Sequence, residues 1–356
     1  MRFGTFSYNQ ARPSVPEPQA FEELLEQIEL TDRLGFDDAW FAEHHHSDYG
    51  LLASPNLIIA ALARRTVRLR LGNLVNVLPL HDPIRLAEEC AILDILTGGR
   101  LNVGIGRGVP RDDIKHGLDV DTARARFSEG VDILMKAWTG ETFSHDGATW
   151  TYKEISCRPQ PVQRPHPPIY YGAGSPDSAR EVARRGWHLA MSRQPLHNIA
   201  ATTAAYRDEL NILGKPAGAG STVLARDIYV AETDEQAWAE AGPEIARFWQ
   251  LALDNVWRHE PIGIDDLPRL TSKIGYFQGG LTQERLDEWG ISIVGSPKTV
   301  SRRIRHIMEV AAPDSLVGLF AYGNLSHEQV MRSINLFATE VRPTLAVEPV
   351  GARPAQ

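Results

Sequence analysis

The apolar positions of this chain alternate between short runs, typical of strands, and longer segments with apolar residues three and four positions apart, typical of helices. Residues 1–8 form the first short run and residues 17–34 the first helical segment, and Gly35 follows where a helix C-cap belongs. Further strands are predicted at 37–44, 67–79, 100–108, 167–174, 188–192, 222–232 and 314–322. The helical segments are 54–66, 82–99, 121–140, 175–186, 198–213, a partly irregular 234–294, 297–311 and 326–345.

Eight units of strand followed by helix imply a parallel sheet, and eight strands fit a closed barrel better than an open sheet. The rhythm breaks at 141–165, where a turn at Asp146-Gly147 and a Pro-rich connector predict a small β excursion, and again at 255–294. We therefore predict an α/β fold, a single (β/α)8 TIM barrel over residues 1–347 with these two insertions. The Pro- and Ala-rich residues 348–356 are expected to be a disordered tail.

Composition narrows the class of protein. The 356 residues carry a net charge of −8, which argues against a nucleic-acid or anionic-membrane partner. The two cysteines, Cys90 and Cys157, lack the spacing of a disulfide framework or a structural zinc site. The first residues contain no long apolar stretch of the kind that targets a chain for secretion, and the expected location is the cytoplasm.

The most unusual polar stretch is Glu43-His44-His45-His46, at the end of the second predicted strand. Functional side chains of a (β/α)8 barrel lie at the carboxyl ends of its strands, and imidazole exchanges protons near neutral pH. His44 is therefore the candidate acid or base, whereas a solvated loop explains His46 and also accounts for His45. A metal site is not predicted, because successive strand residues point to opposite faces and no HxH or HExxH spacing is present.

A second informative stretch surrounds the fifth barrel strand. Gly172 and Gly174 allow a ligand to approach the backbone, and Ser175 or Asp177 can cap the helix that follows. The N-terminus of that helix favours a phosphate group, and Arg107 at the end of the fourth strand can add a charged contact. The Gly-rich run at 104–108 does not complete a GxGxxG motif, so a dinucleotide-binding fold is not indicated.

Five stretches, in this order and spacing, resemble the bacterial luciferase-like flavin-dependent monooxygenases, which are (β/α)8 barrels. They are MRFGTF with GFDDAWFAEHH and GLLASP, then VLPLHDPIRLAEECAILD, GGRLNVGIGRG, PPIYYGAGSPDSAREVARRG, and VGSPKTVSRRI with FATEVRPTL. The resemblance spans nearly the whole chain. Two positions depart from the luciferase α-subunit: Gly106 replaces a reactive cysteine and Gly174 replaces a glutamate. These departures weaken the case for light emission but not for flavin binding.

The resemblance implies roles for individual residues. His44 matches the catalytic histidine, Glu43 lies beside it near the flavin, and Leu74–Val75 match a pair joined by a non-prolyl cis peptide that supports the flavin ring. The remaining cofactor positions, at the phosphate and along the fifth and sixth strands, are Arg107, Ala173, Gly174, Ser175, Ser178, Met191 and Ser192. An apolar substrate pocket is expected at Phe6, Tyr8, Tyr49 and Phe277, with residues 255–290 as a mobile lid.

The implied reaction uses reduced flavin mononucleotide (FMN), supplied by a separate NAD(P)H-dependent flavin reductase, and O2. A flavin hydroperoxide then oxidises a small organic molecule such as an aldehyde or ketone. Two alternatives stay open at this point: a deazaflavin-dependent oxidoreductase that transfers hydride, and a non-catalytic flavin-binding subunit. The family also implies a homodimer, and the apolar segments 54–63 and 85–96 are candidates for its interface.

Overall fold

The computed structural model describes residues 1–192, 194–216, 218–252, 254 and 289–345. The strands of this part of the chain are β1 (Arg2–Ser7), β2 (Asp38–Phe41), β3 (Arg70–Asn73), β4 (Asn76–Val77), β5 (Leu101–Gly106), β6 (Phe143–Asp146), β7 (Thr151–Ile155), β8 (Ile169–Gly172), β9 (His188–Ser192), β10 (Thr222–Val230), β11 (Ser292–Gly295) and β12 (Ser315–Leu319).

The helices of the same residues are α1 (Glu17–Arg33), α2 (Pro55–Leu62), α3 (Pro83–Leu96), α4 (Pro110–Lys115), α5 (Val120–Ala137), α6 (Pro176–Arg184), α7 (Leu196–Ile212), α8 (Asp234–Ala252), α9 (Pro297–Val310), α10 (His327–Leu336) and α11 (Arg342–Leu345). A π-helical turn, Phe337–Val341, joins the last two helices. No helix among the described residues has both the length and the apolar character that a membrane crossing requires.

Eight parallel strands close the barrel in the order β1, β2, β3, β5, β8, β9, β10 and β12, and β12 pairs back with β1. Closure is visible in the register, since Gly4 of β1 lies across from Asp38 on one side and from Val317 on the other. The short strands β4 and β11 extend the sheet by pairing with β5 and β10. The predicted (β/α)8 barrel is confirmed.

Several predicted strands are too long at their carboxyl ends. β2 stops at Phe41, three residues before the predicted end, because the His44 backbone N–H donates to Leu52 O in the following loop at 3.0 Å. The predicted third strand divides into β3 and β4 at a cis peptide between Leu74 and Val75. These shortened ends leave loops at the barrel mouth, where the functional residues were expected.

The β excursion predicted at 141–165 is present as the antiparallel hairpin β6–β7, in which Asp146 pairs with Thr151. Gly147 N–H donates to Trp150 O in its turn, at 3.0 Å. Of the second insertion, residues 255–288 lie outside the described part of the chain, and so does the tail 348–356. The predicted lid therefore stays a prediction.

Candidate active site

His44 is surrounded by aromatic rings at the mouth of the barrel. Its imidazole stacks on Tyr8 with ring centroids 5.3 Å apart and planes 18° apart, and Tyr49 meets it edge-on at 4.8 Å. Phe6 contacts Tyr8 at 4.9 Å, and Phe248 of α8 contacts both tyrosines at 5.9 and 5.6 Å. We call these four aromatic residues the aromatic cage. All four are buried, while His44 is half-buried.

Three of the four substrate positions expected from the sequence thus lie together around His44. The fourth, Phe277, falls outside the described residues. Phe248 has no counterpart among the predicted site residues, because it lies on α8, more than 190 positions beyond Tyr49. Its helical spacing indicated a buried face of α8, but the sequence alone does not show which strand ends that face covers.

Glu43 lies beneath His44 and is engaged by protein groups on both carboxylate oxygens. His45 Nε2 donates to Oε1 at 3.0 Å, His81 Nε2 lies 3.1 Å from both oxygens, and Val77 N–H donates to Oε2 at 2.9 Å. Burial raises the pKa of Glu43, but the hydrogen bonds from both histidines and Val77, with the His81 charge, lower it to about 2. The carboxylate thus joins the loop after β2 to β4 and the segment before α3.

The Leu74–Val75 peptide is cis, as the resemblance implied. The next residue, Asn76, is fully buried, and neither atom of its side-chain amide has a hydrogen-bond partner among the described residues. Buried amides of this kind are nearly always paired, so the Asn76 amide is a candidate partner for a bound ligand or an ordered water molecule. Asn76 was not predicted as a site residue, because nothing in its local sequence distinguishes it from an ordinary strand residue.

The predicted phosphate positions occupy two neighbouring strand ends. β5 and β8 are paired, with Ile105 across from Tyr171, and exposed Arg107 and buried Ala173 are the first residues after these two strands. Asp113 of α4 is close enough to Arg107 for their charges to interact. Burial and the charge of Asp112 raise the pKa of Asp113 to about 6, and the positive charge of Arg107 partly opposes this rise.

The helix that follows β8 begins with a reciprocal cap. Ser178 N–H donates to Ser175 Oγ at 3.3 Å, and Ser175 N–H donates to Ser178 Oγ at 3.1 Å. Gly174 immediately precedes this cap, and its carbonyl accepts a hydrogen bond from Gln194 Nε2 at 3.0 Å. The first turn of α6 is therefore held in place and exposed to solvent, as a phosphate site requires.

The two predicted residues of β9 face opposite ways. Met191 is buried, and its sulfur accepts a hydrogen bond from Thr203 Oγ1 of α7 at 3.7 Å. Ser192, the next residue, is exposed. Since side chains alternate along a strand, Ser192 is the better placed of the two to face a ligand at the mouth.

Residues 1–314 match the model of the luciferase-like monooxygenase family. The chain belongs to this family. It is therefore an oxidoreductase, and the flavin-dependent monooxygenase family expected from the sequence is confirmed.

Two relatives illustrate the range of the family. An uncharacterised protein of Sinorhizobium fredii is 33% identical over 91% of this chain and 92% of its own length. The oxygenase component of a flavin-dependent trigonelline monooxygenase from Acinetobacter baylyi is 30% identical over 68% of each chain.

Three solved structures share the fold. The monooxygenase RslO1 of Streptomyces bottropensis has a TM-score of 0.83 at 27% identity, over 97% of this chain and 100% of that one. The FMN-bound oxygenating constituent of 3,6-diketocamphane monooxygenase from Pseudomonas putida has a TM-score of 0.80 at 21% identity, over 98% and 100%. An F420-dependent secondary alcohol dehydrogenase has a TM-score of 0.75 at 17% identity, over 97% and 99%. The last two structures are only 21% and 17% identical to this chain, so their similarity establishes the fold alone.

Proposed function

We propose that this protein is the oxygenase component of a two-component system, and that it uses reduced FMN and O2 to oxidise a small apolar organic molecule. The observation that carries the proposal is the position of His44, half-buried within the aromatic cage at the barrel mouth. A relative at 30% identity is named as a flavin-dependent oxygenase component, which favours a flavin and a separate reductase.

The residues at the mouth fit a flavin mononucleotide. The buried, unpartnered amide of Asn76 offers one acceptor and two donors, which suits the polar edge of a flavin ring. The neighbouring Leu74–Val75 peptide would support the ring, and Ser192 would lie at its side. Arg107, Ala173, Gly174 and the capped serines Ser175 and Ser178 would hold the phosphate. When bound, reduced flavin supplies the two electrons needed to activate O2.

His44 would act as the acid or base of the reaction. Stacking on Tyr8 and the edge contact with Tyr49 fix the orientation of its ring, which proton transfer requires. The aromatic cage also keeps bulk water away from the imidazole, which limits unproductive side reactions. Glu43 would act as a positioning residue, because its carboxylate is engaged by His45, His81 and Val77.

The cage also indicates the kind of substrate. Its faces are phenyl and phenol rings, so they favour an apolar molecule. An aldehyde, a ketone or another small molecule with one polar group fits this description.

An exposed apolar surface on α2 and α3 supports the homodimer implied by the family. Leu57 of α2 is 71% exposed, and Ile92, Ile95 and Leu96 of α3 are 45%, 48% and 40% exposed. The two helices pack against each other, so these side chains form one surface of the molecule.

Light scattering tests the dimer and should give twice the chain mass. The variant Ile95→Asp should be monomeric. A wild-type protein that is monomeric at all concentrations would exclude the dimer.

The function is tested by anaerobic fluorescence titration with reduced FMN and with a reduced deazaflavin, followed by exposure of each complex to O2. The proposal predicts tight binding of reduced FMN and rapid reoxidation in the presence of an aldehyde or ketone, with one oxygen atom found in the product. Binding of the deazaflavin, with hydride transfer and no reaction with O2, would instead establish the alternative oxidoreductase. Flavin binding without oxidation of any substrate would favour a non-catalytic subunit.

A further inference from the structure

Beside the active site, three histidines converge in a cluster that the proposed oxidation does not use. His45 and His46 follow β2, His116 follows α4, and each contributes a ring nitrogen within 4.8 Å of the others. The ring centroids lie 5.1 Å apart for His45 and His116, and 5.0 Å apart for His46 and His116. We infer that this histidine cluster binds a divalent transition-metal ion of the Zn²⁺ class.

The backbone explains how two adjacent histidines can share one ion. In a strand, His45 and His46 would point to opposite faces, but β2 ends at Phe41, before either residue. His46 has a left-handed backbone with φ of 53°, which bends the loop and takes the two imidazoles out of strand alternation. The rings of His45 and His46 consequently lie 5.8 Å apart, on the same side of the loop.

Helix α4 is attached to this loop by its own cationic side chains. The Arg111 guanidinium donates to the His45 carbonyl, and Lys115 Nζ donates to the His46 carbonyl at 3.2 Å. These contacts bring the C-terminal end of α4, and with it His116, to the two loop histidines. Both cations donate to backbone oxygens of the loop and so hold it against α4.

The hydrogen bonds of two histidines define which ring nitrogen is available. His45 Nε2 lies 3.0 Å from the Glu43 carboxylate, and His116 Nδ1 lies 2.9 Å from the Asp112 carbonyl. Both partners are acceptors, so these nitrogens carry the protons, and His45 Nδ1 and His116 Nε2 present lone pairs. Metal-binding histidines are held in this same way, with the second nitrogen donating to a carboxylate or a backbone carbonyl.

Ring nitrogens with lone pairs attract a cation and not an anion, and imidazole nitrogen is a preferred ligand of Zn²⁺. Zn–N bonds of 2.0–2.1 Å put the ligand nitrogens of a tetrahedral site roughly 3.3 Å apart, closer than the 4.8 Å limit of the cluster. The ring of His46 is exposed at the surface, so rotation of this side chain can bring its nitrogen closer to those of His45 and His116. Three protein ligands leave the fourth position to water.

The test measures Zn²⁺ binding to the full chain, without affinity-tag histidines, by competition with a chromogenic chelator, and Co²⁺ binding by visible absorption. We expect one Zn²⁺ per chain, a Co²⁺ spectrum of four- or five-coordinate type, and a rise in Tm on binding. His46→Ala and His116→Ala should each weaken Zn²⁺ binding by more than about tenfold, the loss that even an outer-shell change produces.

The matched control is His306→Ala, which removes an exposed histidine of α9 and should leave affinity, spectrum and Tm rise unchanged. The inference is overturned if no stoichiometric Zn²⁺ binds, if the cluster variants bind as tightly as wild type, or if the control loses as much affinity as they do. These readouts use neither flavin nor turnover, so failure here is distinguishable from failure of the proposed oxygenase function.

Discussion

The N-terminal end of the barrel buries a carboxylate, whereas the carboxyl end leaves several candidate site residues partly or fully exposed. At the N-terminal ends of the strands, Asp38 is fully buried and accepts from Trp40 Nε1 at 2.9 Å and from Ser315 Oγ at 3.4 Å. Arg70 Nε donates to Asn102 Oδ1 at 3.0 Å in the same layer. At the carboxyl ends, His44 is half-buried, and the amide of Asn76 has no partner among the described residues.

This difference separates stability from chemistry. Charges buried at the N-terminal end stabilise the fold only while they remain paired, so changes there are expected to alter the free energy of unfolding. Polar groups at the mouth retain hydrogen-bonding capacity for a ligand, so changes there are expected to alter binding and turnover. The following substitutions test whether the two ends are as separate as this comparison implies.

The largest effect is expected from His44→Ala. Loss of a positioned acid or base should reduce turnover by about 10²–10⁴-fold, whereas Tm and the Kd for reduced FMN should change little. Stopped-flow turnover and fluorescence titration measure the two effects separately. Unchanged turnover would remove His44 from the mechanism, and a large fall in Tm would show that the mouth also supports the fold.

At the opposite end, His188 should control stability in acid. The pKa of His188 is lowered to about 4, mainly by burial and also by the positive charge of Arg2. Nδ1 of His188 accepts a hydrogen bond from Ser221 N–H at 2.9 Å. A histidine in the unfolded chain titrates near pH 6.5, so between about pH 4 and pH 6.5 the unfolded state binds one proton more than the folded state at this residue. Stability is therefore complete above about pH 6.5 and falls as pH drops toward 4, by on the order of 3 kcal/mol.

His188→Asn keeps an acceptor for Ser221 but removes the titration. Urea unfolding at pH 7 and pH 4.5 should show a smaller loss of stability for this variant than for wild type. His306→Asn, at an exposed position of α9, is the control and should lose as much as wild type. Equal losses in all three proteins would mean that other groups cause the acid sensitivity.

A third prediction concerns Gly106, which replaces the reactive cysteine of the luciferase α-subunit. A Cβ here would lie 2.5 Å from Val75 Cγ2 and 3.2 Å from Val75 Cβ, so Gly106→Cys must displace the Val75 side chain. Overpacking of this kind should cost about 1–3 kcal/mol of unfolding free energy. Gly172→Ala is the matched change on β8, where a Cβ meets nothing within 4 Å, and its Tm should stay near wild type.

Such contacts show where sequence reasoning ends. The eight strands and most helices were predictable, because hydrophobic periodicity records which side of an element is buried. The cis Leu74–Val75 peptide and several cofactor positions came from the family resemblance, whereas His44 and Arg107 were already indicated by their places at predicted strand ends. Strand ends were less accurate, since β2 and β3 end where loop hydrogen bonds replace strand pairing.

The contacts that complete the site were beyond the sequence for a physical reason. Phe248 meets Tyr8, His81 meets Glu43, and His116 meets His45, across separations of 240, 38 and 71 positions. Each contact depends on how a loop or helix lies over the mouth, which local patterning does not encode. The sequence shows His45 and His46 side by side, but only the three-dimensional structure brings His116 to them.

Arg107→Ala, at the exposed phosphate side of the mouth, is expected to weaken ligand binding without changing stability. A charge-assisted contact to phosphate contributes about 1.5–3 kcal/mol, so the Kd for FMN should rise by roughly ten- to a hundredfold. Riboflavin, which has no phosphate, should bind the variant and the wild type equally well, and Tm should be unchanged. Equal weakening of FMN and riboflavin binding would show that Arg107 supports the structure of the mouth. The carboxyl end of β5 would then contribute to stability as well as to binding, contrary to the comparison of the two ends.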